Sequence, residues 1–286
     1  METQTGILSR VRQIVLHRPQ THSLPFPTGR IQAVGVDIDQ CLTVTGEPQM
    51  RILRQALALA RLQRYNERCK RDPRLPKIFL VSGRDVRYGQ GICNILGVHD
   101  WCIAEYGGIL YHPVTGEIVE NKELDPTTYL RFNEVRKKAE RIPDAIPALR
   151  LYRWKSVMVT LERIDTAIRM DTLRQLVEFE LAAFTDVVDI RASQIAVDII
   201  CRGLDKGAGL RFRHESGRAL AEPARTLYID DSMGASDAVM VAGLLGCPSN
   251  ATKEFANLVR SKGGFVAKRP LREGVVDVLK HYGIRI

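Results

Sequence analysis

Two pairs of carboxylates stand directly behind apolar runs. Asp37 and Asp39 close the run Ile31-Gln-Ala-Val-Gly-Val-Asp-Ile, and Asp230 and Asp231 follow Leu227-Tyr-Ile, with Asp237 one or two turns later. Carboxylates this close repel one another unless a cation or a proton offsets them. The competing reading is a loop that uses Asp for turns. Ser82-Gly83 follows a third apolar run, Lys77-Ile-Phe-Leu-Val, and precedes a helical stretch. A hydroxyl and backbone N–H groups at a helix start suit an oxyanion, although taken alone the motif reads as a helix cap. Glu105-Tyr-Gly-Gly carries paired glycines that indicate a sharp turn. Lys206 stands at a helix start in Arg202-Gly-Leu-Asp-Lys-Gly. A cation there opposes the helix dipole, so pairing with phosphate and carboxylates is the better reason for it.

These residues need elements to position them. Buried-strand runs at Ile31–Ile38, Lys77–Val81, Trp101–Ala104, Thr226–Ile229 and Gly264–Ala267 alternate with helical stretches. The helical stretches are Gln49–Cys69, Val86–Leu96, Asp205–His214, Ala235–Leu244, Thr252–Arg260 and Leu271–His281. Such alternation implies right-handed crossovers and a parallel sheet, with ligands beyond the carboxyl ends of its strands. Residues 112–202 break the pattern: helix, a strand at Val157–Leu161, a long helix at Thr166–Phe184, then a hairpin from Val187–Ile190 and Ile195–Cys201. The expected fold is α/β, a Rossmann-like parallel sheet core with an inserted α+β cap. The expected division is an extension at 1–30, a core at 31–111 and 203–286, and a cap at 112–202. Within the extension, Ile7–Leu16 is a possible short helix and Pro19–Thr28 a linker.

The chain has 286 residues, 45% apolar and 26% charged, and a net charge of +9. This is ordinary globular composition, which excludes a disordered, collagen-like or coiled-coil chain. Its six cysteines form no C-x-x-C pair, so neither a zinc site nor a disulfide framework is expected. The N-terminus does not read as a signal peptide and no apolar stretch approaches a membrane span, so a cytoplasmic protein is expected. The positive balance points to an anionic partner. Arg51, Arg54, Arg61, Arg64 and Arg68 lie along one helix, read as a solvated face with Ile52, Ala56, Leu59 and Ala60 turned inward; nucleic acid is not the expected partner.

Taken in order, these features resemble the four motifs of haloacid dehalogenase (HAD) superfamily phosphatases: D-x-D at Asp37 and Asp39, S-G at Ser82, Lys206, and an acidic loop at Asp230, Asp231 and Asp237. The insertion is similar to the superfamily's type IIB cap, and the resemblance covers residues 31–286. The stretches around Glu105, Arg153-Trp154-Lys155, Lys206 and Cys247-Pro-Ser-Asn250, with Gly274–His281, resemble archaeal-type phosphoglycolate phosphatases and sucrose-phosphatase-like members.

The resemblance implies a Mg²⁺-dependent phosphatase acting on a small phosphorylated metabolite, a sugar phosphate or phosphoglycolate. In it Asp37 is the nucleophile that forms an aspartyl-phosphate, and Asp39 the general acid and base. Ser82, Gly83, Lys206 and Asn250 hold phosphate; the alternative reading of Asn250 is a cap for the helix starting near Thr252. The metal falls to Asp37, Asp39 and the acidic loop. Matching that loop by its Asp-Ser favours Asp231 as main ligand and Asp237 as second, whereas matching by position favours Asp230. Arg153, Trp154 and Lys155 are candidates for selecting substrate, or a strand start with solvated cations. Gln40 stands where the family usually has Gly, and the acidic loop is longer than usual. Removal of Lys206 is expected to weaken catalysis without unfolding. The alternatives are a phosphomutase of the same superfamily and a non-catalytic phosphate- or nucleic-acid-binding protein.

Overall fold

A computed structural model of the chain describes residues 31–43, 49–121, 126–193, 195–219 and 221–286, and for 49–54 the backbone alone. Both features expected within residues 1–30 lie outside the described residues. Ile31–Ile286 form one compact unit.

Its central sheet is parallel, in the order β12-β11-β10-β1-β2. The strands are β1 (Ala33–Val36), β2 (Lys77–Leu80), β10 (Thr226–Ile229), β11 (Leu244–Cys247) and β12 (Phe265–Val266). All four residues of β1 and of β10 are buried, as near-continuous apolar runs of a covered parallel sheet should be. The intervening helices are α1 (Gln49–Arg71), α2 (Val86–Leu96), α6 (Lys206–Glu215), α7 (Ser236–Val241), α8 (Lys253–Ser261) and α9 (Leu271–His281). On α1, Ala58, Leu62, Tyr65 and Cys69 are buried, and each such large side chain contributes about 1.5–3 kcal/mol. This stripe replaces the expected one, because Ala56 is exposed and Leu59 and Ala60 are half-buried. Arg61, Arg64 and Arg68 face solvent; the side chains of Arg51, Ile52 and Arg54 lie outside the described set.

The third strand, β3 (Cys102–Ala104), joins β2 through a parallel bridge, Val81 to Ile103. It then turns into an antiparallel hairpin with β4 (Ile109–Tyr111) and β5 (Ile118–Glu120), which the sequence reading lacked. The helix expected over Ala235–Leu244 is also corrected: α7 ends at Val241 and the chain continues as β11. The break falls at Gly243, where a Cβ would lie 1.8 Å from the Ala224 carbonyl oxygen. That close approach steers Leu244-Leu-Gly-Cys into pairing with β10. A short buried apolar run suits a helix end and a core strand equally, so its periodicity could not decide.

The inserted segment holds α3 (Pro126–Ala139), α4 (Ile142–Ala145), β6 (Leu149–Tyr152), β7 (Met158–Arg163), α5 (Met170–Glu180), β8 (Val188–Ala192) and β9 (Ala196–Cys201). Its strands form one antiparallel sheet, β6-β7-β9-β8. Strand β6 was not anticipated. Arg153, Trp154 and Lys155 consequently occupy the turn between β6 and β7 and not a strand start. Among the described residues no helix is long and apolar enough to cross a membrane.

Candidate active site

Strand register brings the two acidic pairs together. In β1 and β10, Val36 sits opposite Ile229, and the Asp37 N–H donates to the Ile229 carbonyl at 2.9 Å. Asp37 and Asp230 therefore leave neighbouring strand ends side by side. Lys206 reaches them from the first residue of α6, whose cap, Asp205, accepts from the Ala208 N–H at 2.6 Å. The Lys206 Nζ lies 2.9 Å from Asp37 Oδ1 and 2.7 Å from Asp230 Oδ2. Burial works against this ammonium, but Asp230 and Asp37 outweigh it and hold its pKa above the usual lysine value.

One lysine does not balance the charge. Asp37, Asp230 and Asp231 each offer an oxygen within 4.8 Å of the others. Burial pushes the Asp37 pKa well up, opposed by Lys206 and reinforced by Asp230, Asp231 and Asp39. Burial and then Asp230 push Asp231 up to about 7. Asp230 is saturated with donors: besides Lys206 it accepts from the Tyr228 hydroxyl at 2.5 Å and from the Asp231 and Ser232 N–H groups. Asp231 is the more exposed of the pair. An under-compensated, all-oxygen donor set fits a hard divalent cation such as Mg²⁺. Asp237 stands apart from this cluster, with its carboxylate 3.7 Å from the Arg191 guanidinium.

Asp39 lies outside this cluster and is held by Arg84, whose Nε and one terminal nitrogen donate at 2.8 Å to its two oxygens. Directly after Asp39, Gln40 adopts φ 57°, left-handed backbone that glycine takes at least cost. This gives a physical reason for the family's usual Gly. Ser82 is buried, and its Oγ accepts from the Arg84 N–H at 3.1 Å. Gly83 presents its carbonyl to the Lys155 ammonium. Asn250 spends both ends of its amide on backbone, donating to the Gln40 carbonyl at 2.9 Å and accepting from the Leu271 N–H at 2.7 Å. It braces three loops of the rim, while Thr252 caps α8.

The insert meets the core over these loops. The buried Glu105 carboxylate accepts from the Ser156 and Val157 N–H groups at 2.8–3.0 Å. The Tyr152 hydroxyl donates to Asp85 at 2.7 Å, and Arg87 stacks on Trp154 with its guanidinium 4.0 Å from the ring centre. Register aligns Tyr152, Thr160, Asp198 and Arg191 as one polar row, one residue per strand. Thr160 donates to Asp198 at 2.6 Å, and Arg191 lies over the Tyr106 ring. Arg84, Tyr228 and this row were missed as site residues. Arg84 adjoins the S-G motif, but cross-strand alignment has no signal in a linear sequence.

No family model matches the sequence. Several solved structures are similar in fold. A Thermoplasma acidophilum protein aligns with a TM-score of 0.62 at 18% identity, covering 90% of this chain and 100% of its own. The sucrose-phosphatase of Synechocystis, solved with sucrose and phosphate, aligns with a TM-score of 0.63 at 17% identity, covering 89% and 99%. A haloacid dehalogenase-like hydrolase from Bacteroides thetaiotaomicron aligns with a TM-score of 0.59 at 16% identity, covering 88% and 99%. The parallel core, the α+β insert and the carboxylates at the strand ends thus make up a haloacid dehalogenase fold with an inserted cap.

Proposed function

We propose that this chain is a Mg²⁺-dependent phosphatase of small phosphorylated metabolites. The observation that carries this reading is the buried Lys206 bridge between Asp37 and Asp230, with Asp231 in the same cluster. Asp37, Asp231 and the backbone beside Asp39 would hold the cation, and Asp230 serves as the counter-ion of Lys206. The cation, when bound, supplies charge neutralisation at the transferring phosphoryl group.

The chain's own residues do the rest. An Asp37 oxygen attacks phosphorus as the bond to the leaving oxygen breaks, which gives an aspartyl-phosphate. Asp39 gives its proton to the leaving alkoxide and then takes one from the incoming water. That water attacks phosphorus, the bond to Asp37 breaks, and phosphate leaves. Ser82 and Lys206 orient the phosphoryl oxygens, the kind of positioning that carries most of the rate in phosphoryl transfer. Core segments 31–111 and 203–286 hold this machinery, and segment 112–202 covers the leaving group.

The test is phosphate release from para-nitrophenyl phosphate with Mg²⁺ and with a chelator. Turnover should require the metal, and Asp37→Asn should remove at least four decades of it, about 5–6 kcal/mol of barrier. A folded protein with no turnover, or an active Asp37→Asn, overturns the reading.

A further inference from the structure

The insert carries a second hollow that the chemistry above does not use. It is lined by Arg136, Glu140, Leu151, Tyr152, Arg153, Lys155, Met158 and Val159, with about 100 Å³ of room. Arg136 lies on α3 and Glu140 in the turn directly after it, and the others belong to β6, β7 and the turn between them. None of the residues assigned to the phosphoryl-transfer steps lines it. The volume is room enough for a small oxyanion in a hollow that opens to solvent. Three cations face one carboxylate, and among the described residues the Arg153 guanidinium has no hydrogen-bond or ion-pair partner. Burial holds the Lys155 pKa below the usual lysine value, against the pull of Asp198, Glu105 and Asp85.

We propose that this hollow binds inorganic phosphate, at a site separate from the catalytic cleft, and relays its occupancy to the Ser82-Gly83 loop. The relay is the turn at 153–157. On the hollow's side, Arg136 donates to the Lys155 and Ser156 carbonyls. On the core's side, the Lys155 ammonium donates to the Gly83 carbonyl and the Ser156 and Val157 N–H groups donate to Glu105. A guanidinium prefers an oxyanion to a neutral carbonyl, because charge-assisted bonds are roughly twice as strong. Phosphate in the hollow therefore draws Arg136 off the turn and slackens the contact with Gly83. The regulatory consequence, restraint by the reaction's own product, rests on the phosphatase reading; the binding itself does not.

The experiment is calorimetric titration of inorganic phosphate into wild type, Arg153→Glu and the milder Arg153→Gln, each first shown to melt as wild type does. Two phosphates per wild-type chain and one per variant chain, with affinity at the lost site down at least tenfold, establish the site. One phosphate in wild type and none in the variants also supports the hollow while counting against the cleft, which separates the two readings. Binding that neither variant changes overturns the site. In turnover assays phosphate should lower kcat as well as raise KM in wild type, and raise KM alone in the variants. Identical inhibition in all three overturns the relay.

Discussion

Lys206→Met removes the cation that joins the two strand ends and keeps most of the side chain's apolar stem. The ammonium now lies 2.9 Å from Asp37 and 2.7 Å from Asp230, with all three side chains under 8% exposed. Breaking a buried ion pair by deleting one partner costs about 3–5 kcal/mol. For a domain of this size class, each kcal/mol moves Tm by about 2–4 °C, so the variant should melt about 6–20 °C below wild type in a chelator. Part of that loss should return with Mg²⁺, since a ligand at a hundred times its Kd contributes about 2.7 kcal/mol. Lys206→Arg, which keeps the charge, should lose less than the methionine variant. The assay is thermal unfolding followed by circular dichroism, with chelator and with excess Mg²⁺. A Lys206→Met protein that melts within about 2 °C of wild type in chelator refutes the counter-ion argument. The sequence reading expected loss of Lys206 to weaken catalysis without unfolding; the two ion pairs add a lower melting temperature to that expectation.

Arg84→Ala frees Asp39 from its two 2.8 Å contacts. The pair is partly exposed, so stability should change by less than about 1 kcal/mol. Turnover should fall about a hundredfold through misplacement of the acid, and steady-state kinetics showing kcat unchanged would count against that role. Gly107→Ala places a Cβ 2.2 Å from the Asp205 carbonyl at φ 87°, against the first turn of the helix that carries Lys206. A loss of about 2–5 kcal/mol is expected, and a denaturant midpoint equal to wild type's argues against the close approach. Burial holds His99 below the ordinary histidine pKa. A base depressed in the fold gives stability that is full above its unfolded value of about 6.5 and is lost as pH falls. His99→Gln should therefore flatten the decline of Tm between about pH 6.5 and about pH 5, and an equally steep decline refutes it.

Helix α2 and helix α9 were legible to the residue because each has a strong apolar stripe and clear ends: Asp85 caps the first and Gly97, at φ 66°, stops it. Strands β6 and β11 were not legible. Each is four residues long, but so are β1, β2 and β10, which were legible, so length alone does not explain the miss. What fixes β11 is a contact between Gly243 and Ala224, residues brought together only by the fold. The polar row of the insert is hidden for the same reason, since Tyr152, Thr160, Asp198 and Arg191 become neighbours through register.

The acidic loop shows how far a motif can go and what geometry adds. The sequence offered Asp230 and Asp231 as rival ligands through two alignments of one lengthened loop, with the Asp-Ser match preferred and hence Asp231. Hydrogen bonding separates them on physical grounds. A carboxylate already accepting from an ammonium, a phenol and two backbone N–H groups must give up donors before it can ligate a cation, which costs the desolvation that those bonds now offset. Asp231 bears no such load from Lys206 and Tyr228 and stands closer to solvent. On the proposed reading the extra acidic residue is not a spare ligand: it is the counter-charge beside the Lys206 ammonium, which also meets Asp37, and it leaves Asp231 with the charge that a cation would neutralise.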